Sequence, residues 1–217
     1  MRVRKLSAAA TVLLAAVGLT ACQSKVGAAA YVGGHRISDS EVASYVTNAG
    51  VAPSIAAKAS ASGETLQPKV SVLDLLVKRA LFQQALRAHG GVPSQGKLAA
   101  LHDTALETFL GLQPAQVTGF DAYLAANQGP NGYSSGYKDL LLSTVELETA
   151  LAIELKPASR QAFNAAVDKL HIPVSVSPRY GAWDAANLQM SADPAAGVPS
   201  FVTLHSSAAP AAAAPSG

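Results

Sequence analysis

The sequence predicts a mainly α domain with short strands near its two ends, and three observations predict it. Hydrophobic residues make up 49% of the 217-residue chain but aromatic residues only 6%, because Ala supplies much of the apolar fraction and Ala is the best helix former. Two long runs, Val72 to His89 and Ser135 to Leu155, space their apolar residues as helices do. Only Ala29 to Ile37 and Ile172 to Ser177 have the short, turn-bounded character of strands.

The N-terminus carries a targeting pattern. Arg2, Arg4 and Lys5 precede an uncharged stretch from Leu6 to Ala21, a charged region followed by an apolar one. This run is shorter than the roughly 20 apolar residues of a membrane-spanning helix. It ends at Leu19-Thr20-Ala21-Cys22, which resembles the lipobox of bacterial lipoproteins. The resemblance implies that residues 1–21 are removed, that Cys22 takes a diacylglyceryl group, and that the chain is extracytoplasmic and lipid-anchored to the cell membrane. Two acyl chains suffice for stable attachment, at about 0.8 kcal/mol per buried methylene. The alternatives for Cys22 are a chance thiol or a small buried hydrophobe. As the only cysteine it forms no internal disulfide, and lipidation accounts for both its position and its solitude.

Processing changes the charge. The precursor has 16 basic and 14 acidic residues, net +2; removing Arg2, Arg4 and Lys5 leaves 13 against 14, or −1. The mature chain thus has no overall pull towards nucleic acid or anionic lipid, and both partner classes are set aside.

The elements follow in order. Residues 22–28 form a lipidated tether. Ala29-Ala30-Tyr31-Val32 and His35-Arg36-Ile37 flank Gly33-Gly34, a turn that permits the positive φ angles of a tight hairpin. Ser38 and Glu41 have the spacing of a reciprocal capping box, opening a helix with Val42, Tyr45 and Val46 inward. Asn48 to Lys69, with Gly50, Pro53, Gly63 and Pro68, reads as a long loop. The Val72–His89 helix buries Leu73, Leu76, Val77, Ala80 and Leu81, turns Lys78 and Arg79 away, and stops at Gly90-Gly91 and Pro93.

A helix from Gln95 to Leu110 is expected to present Leu98, Leu101, Ala105 and Phe109, and a shorter one from Thr118 to Asn127 to present Phe120, Tyr123 and Leu124. Residues Gln128 to Gly132 form a loop. The Ser135–Leu155 helix aligns Leu140, Leu147, Leu151 and Leu155, while Asp139, Glu146, Glu148 and Glu154 exclude a membrane span. Pro157 ends it, and Ser159 to Leu170 forms a helix with Phe163 and Val167 inward. Ile172 to Ser177 alternates as a strand whose flanking prolines suit an edge. From Ala185 to Gly217 the periodicity stops and Ala, Pro and Ser dominate, the composition of a disordered tail.

Two stretches carry a family resemblance. Ala29 to Val42, A-A-Y-V-G-G-H-R-I-S-D-S-E-V, resembles the opening hairpin and first helix of the SurA, PrsA and trigger-factor type chaperone domain, with Gly33-Gly34 where Asn-Gly is usual. Val174 to Asp184, V-S-V-S-P-R-Y-G-A-W-D, is similar to the closing strand and turn of exported SurA-like lipoproteins from actinobacteria. The resemblance spans most of 29–184. It implies a SurA N-terminal-like helical chaperone domain whose first and last strands pair in a small antiparallel or mixed sheet, Val174 and Val176 completing the sheet begun by Tyr31 and Val32. The Val176 N–H is expected to be a ladder donor. The parvulin domain that many relatives insert has no room between Leu170 and Val174, so prolyl isomerase activity is expected to be absent.

No enzyme signature stands against this. His35, His89, His102, His171 and His205 lack the spacing of a zinc site, so no metal or cofactor is expected and the histidines read as solvated or capping. There is no nucleophile elbow or phosphate-binding glycine loop, and no small-molecule substrate is identified. Glu146 and Glu148, two apart on a helix, point in different directions and read as a solvated face. Arg179, Tyr180 and Trp183 form either a partner-binding spot, being hot-spot residue types, or a packing cluster in which Tyr180 and Trp183 seat the closing strand and Arg179 pairs with Asp184 or a helix end. Two functions remain: an ATP-independent holdase for unfolded or exported polypeptides, and a dedicated interaction lipoprotein that binds one cell-envelope partner.

Overall fold

The computed structural model describes residues 26–46, 67–127 and 134–191. Residues 1–21, Cys22 and the start of the tether, loop residues 47–66 and 128–133, His205 and everything after Ser191 lie outside the described residues. What is described is mainly helical with small antiparallel sheets.

Strands β1 (Ala28–Val32) and β2 (His35–Ser38) form the expected hairpin. Gly33 and Gly34 have φ of 51° and 86°, the pattern of a type I′ turn. Gly33 is also required by space, since a Cβ there would lie 1.7 Å from Gln84 Oε1. Gln84 cannot readily swing away, because its Nε2 donates to Val32 O (2.5 Å). An Asn at 33 would break that bond.

Strand β3 (Val174–Val176) pairs antiparallel on the other side of β1, giving the order β2-β1-β3. The two ends of the domain therefore meet, with Val32 opposite Val174 and Ala30 opposite Val176. The ladder register corrects one expectation. Gly33 N donates to Pro173 O and Ser177 N to Ala29 O, each at 2.8 Å. Antiparallel pairs alternate between bonded and non-bonded, so Tyr31 and Ser175 exchange bonds while the Val176 N–H turns away from β1.

Helix α1 (Asp39–Ser44) is capped by Ser38, whose Oγ accepts from Glu41 N (3.0 Å); among the described residues only this half of the capping box is made. Helix α2 (Pro68–Ala88) starts inside the stretch expected to be loop, with Pro68 in its first turn, where a missing N–H costs nothing. It buries Val72, Leu73, Leu76, Val77, Ala80, Leu81, Phe82, Ala85 and Leu86. Gly91 N donates to Leu86 O (2.8 Å) at its end, a glycine stop.

The helix expected over 95–110 is two helices, α3 (Gln95–Ala99) and α4 (His102–Leu110). The turn between them tightens, with Leu101 N donating to Leu98 O (2.9 Å), so that Leu98 and Leu101 both pack on the core. A short α5 (Pro114–Thr118), not anticipated, precedes α6 (Phe120–Asn127). Phe120 is buried and Leu124 half-buried; the Tyr123 side chain lies outside the described residues.

Helix α7 (Gly136–Leu155) packs along α2 and forms the centre of the core. Helix α8 (Arg160–Asp168) follows, its first turn capped by Ser159 Oγ accepting from Ala162 N (3.1 Å), with Phe163 and Val167 buried. A 3-10 turn at Pro178–Tyr180 leads into a hairpin of β4 (Ala182–Asp184) and β5 (Gln189–Ser191).

That hairpin carries the packed structure past Asp184 into residues expected to be a disordered tail. Asp184 Oδ1 accepts from Ala186 N (3.0 Å) and Asn187 N (3.2 Å), and its Oδ2 accepts from Asn187 Nδ2 (2.7 Å). These bonds hold the turn that presents Leu188, 2% exposed, to the core. Met190 N then donates to Asp74 Oδ1 on α2 (2.7 Å).

Candidate functional site

A cleft of about 490 Å³ lies between α4, the end of α7 and the start of α8. Phe109, Phe163, Ala152, Ile153 and Pro157 supply apolar wall, and Thr104, Thr108 and Thr149 supply hydroxyls. Ile153 is 52% exposed. Thr149 spends its hydroxyl on Val145 O (2.8 Å). At the rim stand Lys156 and Arg160. Lys156 ends α7 in the left-handed region, φ 47° and ψ 51°.

Arg160 is fixed from three sides. Its guanidinium lies 5.3 Å from the Phe109 ring centre and 5.7 Å from that of Phe163, cation–π range. Its Nη1 is 2.5 Å from Glu148 Oε1. The approach is off the hydrogen-bond direction, since Oε1 has no well-directed donor, so the contact is a charge pair first. Glu148 is buried in α7. Burial pushes its carboxyl above the ordinary glutamate range, while the charges of Arg160 and Lys78 pull it back.

This corrects the solvated-face reading of both glutamates. Glu148 lies seven residues after Leu141 and three before Leu151, on the buried stripe of α7. Glu146 is turned elsewhere and binds His102 Nδ1 (3.2 Å). His102, half-buried, is thus a helix-to-helix contact and not a solvated or capping histidine. Among the described residues no group of three His, Cys, Asp or Glu is placed to hold a metal ion. No described helix is long and apolar enough to cross a membrane.

The three residues singled out near the C-terminus do not share one spot. Arg179 and Tyr180 border a depression with Asp39, Ser40, Ala43 and Lys69. Arg179 Nη2 pairs with Asp39 Oδ1 and donates to Ala28 O (3.3 Å), and its guanidinium lies 5.1 Å from the Tyr180 ring centre. Tyr180 OH donates to Asp39 Oδ1 (3.1 Å). Burial first, and this bond to a carboxylate second, raise the Tyr180 pKa. Arg179 therefore pairs with a helix end, that of α1, and not with Asp184. Trp183 lies apart, beside a smaller cavity of about 230 Å³ with Leu81, Val167, Ile172, Val174 and Leu188. Tyr180 and Trp183 both rest on the core.

No protein-family model matches the chain, no curated protein matches it, and no solved structure matches it. The cleft was legible only in pieces. Phe109 and Phe163 both read as core in the sequence; Phe163 is buried, while the half-open face of Phe109 depends on how α4 and α8 diverge, which no one-dimensional pattern contains. Glu148 could have been found from its place in the apolar repeat of α7.

Proposed function

We propose that the chain is exported, anchored to the membrane through lipid on Cys22, and holds exported polypeptides without ATP and without isomerising prolines. What carries this reading is the cleft between α4, α7 and α8, open, apolar-walled and rimmed by hydroxyls and cations. Holding an unfolded segment needs an apolar surface that many side chains satisfy, with enough polar rim to keep the holder soluble. The resemblance of residues 29–42 and 174–184 to SurA-like chaperone domains points the same way.

A second reading, binding of one dedicated envelope partner, is favoured by one observation. Among the described residues the only exposed large hydrophobics are Val26, Val92 and Ile153, which is little surface for a promiscuous holder. Light scattering of a reduced or heat-unfolded client with the purified full chain, run beside a proline-peptide isomerisation assay, separates the readings. Suppressed aggregation with no accelerated isomerisation supports holding. No suppression at stoichiometric ratio or above, with one stoichiometric partner recovered on pulldown, supports the second. Intact-mass analysis of membrane-extracted protein should show the acyl mass on Cys22; an unmodified thiol overturns the anchor.

A further inference from the structure

We propose that the cleft between α4, α7 and α8 receives the C-terminal end of an extended polypeptide, its last apolar side chain against Phe109 and Ile153 and its terminal carboxylate at Lys156. This deepens the polypeptide-holding reading and rests on it. None of the residues lining the cleft is acidic, and two of them, Lys156 and Arg160, are cationic. Glu148 answers Arg160 from beneath. Lys156, exposed, makes no ion pair among the described residues, so it is the charge left for a ligand. An anion beside an apolar group is the complement of that surface.

The hydroxyls argue for a peptide over a hydrocarbon chain. Thr104 and Thr108 are exposed on α4 and line the wall four residues apart, a spacing of about 6 Å on a helix. Alternate residues of an extended chain repeat at about 6.6 Å. Successive backbone groups on one edge of a peptide therefore meet successive hydroxyls, whereas an alkyl tail leaves them unanswered. The volume, about 490 Å³, falls within the roughly 300–1,000 Å³ of ligand sites and holds a few residues. A terminal residue carries its carboxylate and its apolar side chain on one Cα, which suits a site whose lining includes both Lys156 and the exposed Ile153.

Fluorescence anisotropy with the purified full chain tests this, using a labelled ten-residue peptide ending in Leu-Leu as the free acid and as its C-terminal amide. The free acid should bind about fivefold tighter, what one exposed ion pair supplies. Lys156→Gly suits the left-handed backbone and keeps the fold; it should bring the acid to the affinity of the amide and leave the amide unchanged. Lys97→Ala, on exposed α3, should change neither. Ile153→Asp should weaken both peptides. Equal binding of acid and amide by the wild-type chain overturns the proposal, as does discrimination that survives Lys156→Gly. Saturable binding of decanoate with no peptide binding overturns it in favour of a lipid. If aggregation is still suppressed while acid and amide bind alike, the holding function stands and the C-terminal assignment falls. If neither peptide binds and no client is held, both fall.

Discussion

The Glu148 side chain is 6% exposed, whereas that of Arg160, which answers it, keeps about half of its surface in water at 52%. The pair is therefore asymmetric. Removing the arginine strands a charge inside the core, while removing the charge of the glutamate leaves the arginine free to be solvated. The pH dependence follows from the raised pKa of Glu148. Below its ordinary value of 4.5 the group is protonated folded and unfolded, and burial costs nothing. As pH rises the unfolded chain releases its proton first, so the folded state holds more protons and stability falls until pH has passed the folded pKa. Arg160→Ala should deepen that fall, costing about 1–3 kcal/mol at pH 7.5 and less at pH 4, where only the packing on Phe109 and Phe163 is lost. Glu148→Gln should flatten the dependence. Urea unfolding of the three chains at both pH values decides it; an Arg160→Ala cost that does not change with pH would show that the pair carries no buried charge.

Between elements, the informative contact is β1 with β3. Pairing of strands some 140 residues apart was expected from the resemblance, yet which backbone groups carry it depends on register, and a one-residue shift exchanges bonded for non-bonded positions. Ser175 supplies the inward N–H, as the flanking bonds of Gly33 to Pro173 and Ser177 to Ala29 require. Ser175→Pro should accordingly lower the unfolding midpoint by more than Val176→Pro, since only the former deletes a ladder donor. Equal losses measured by thermal melts would contradict the register. The same distinction of scale explains what the sequence made legible. Helices α2 and α7 repeat an apolar stripe over five turns and announce themselves. The break at Ala100–Leu101 and the single turn of α5 do not, because each is shorter than a window in which a period exists. The Asp184 turn is written in side-chain bonds to Ala186 and Asn187, not in glycine or proline.

For the whole molecule, the decisive segment is the one composition dismissed. β1 is the centre of its sheet, but β4 and β5 lie in a second sheet that folds back on α2, so the C-terminal part of the domain both completes the strand pairing and covers the helical core. Ala/Pro/Ser bias after Asp184 hides two apolar residues, Leu188 and Met190, that suffice to dock a hairpin. Two bonds tie it down from other elements, Asn164 Nδ2 donating to Ala186 O (3.2 Å) and Met190 N donating to Asp74 Oδ1 (2.7 Å), while Asp184 braces its own turn. Truncation after Asp184 therefore differs in kind from truncation after Ser191. The shorter chain exposes the site of Leu188, whose loss by analogy with buried Leu→Ala changes costs about 2–5 kcal/mol, and gives up the Met190 N bond to Asp74 Oδ1, about 1 kcal/mol more. At about 2–4 °C per kcal/mol for a domain of this size, the chain ending at Asp184 should melt roughly 6–24 °C below the chain ending at Ser191. Leu188→Ala in the full chain should reproduce most of that difference. Equal melting temperatures for the two truncations would place the domain boundary at Asp184 and make the β4–β5 hairpin an ornament on the fold.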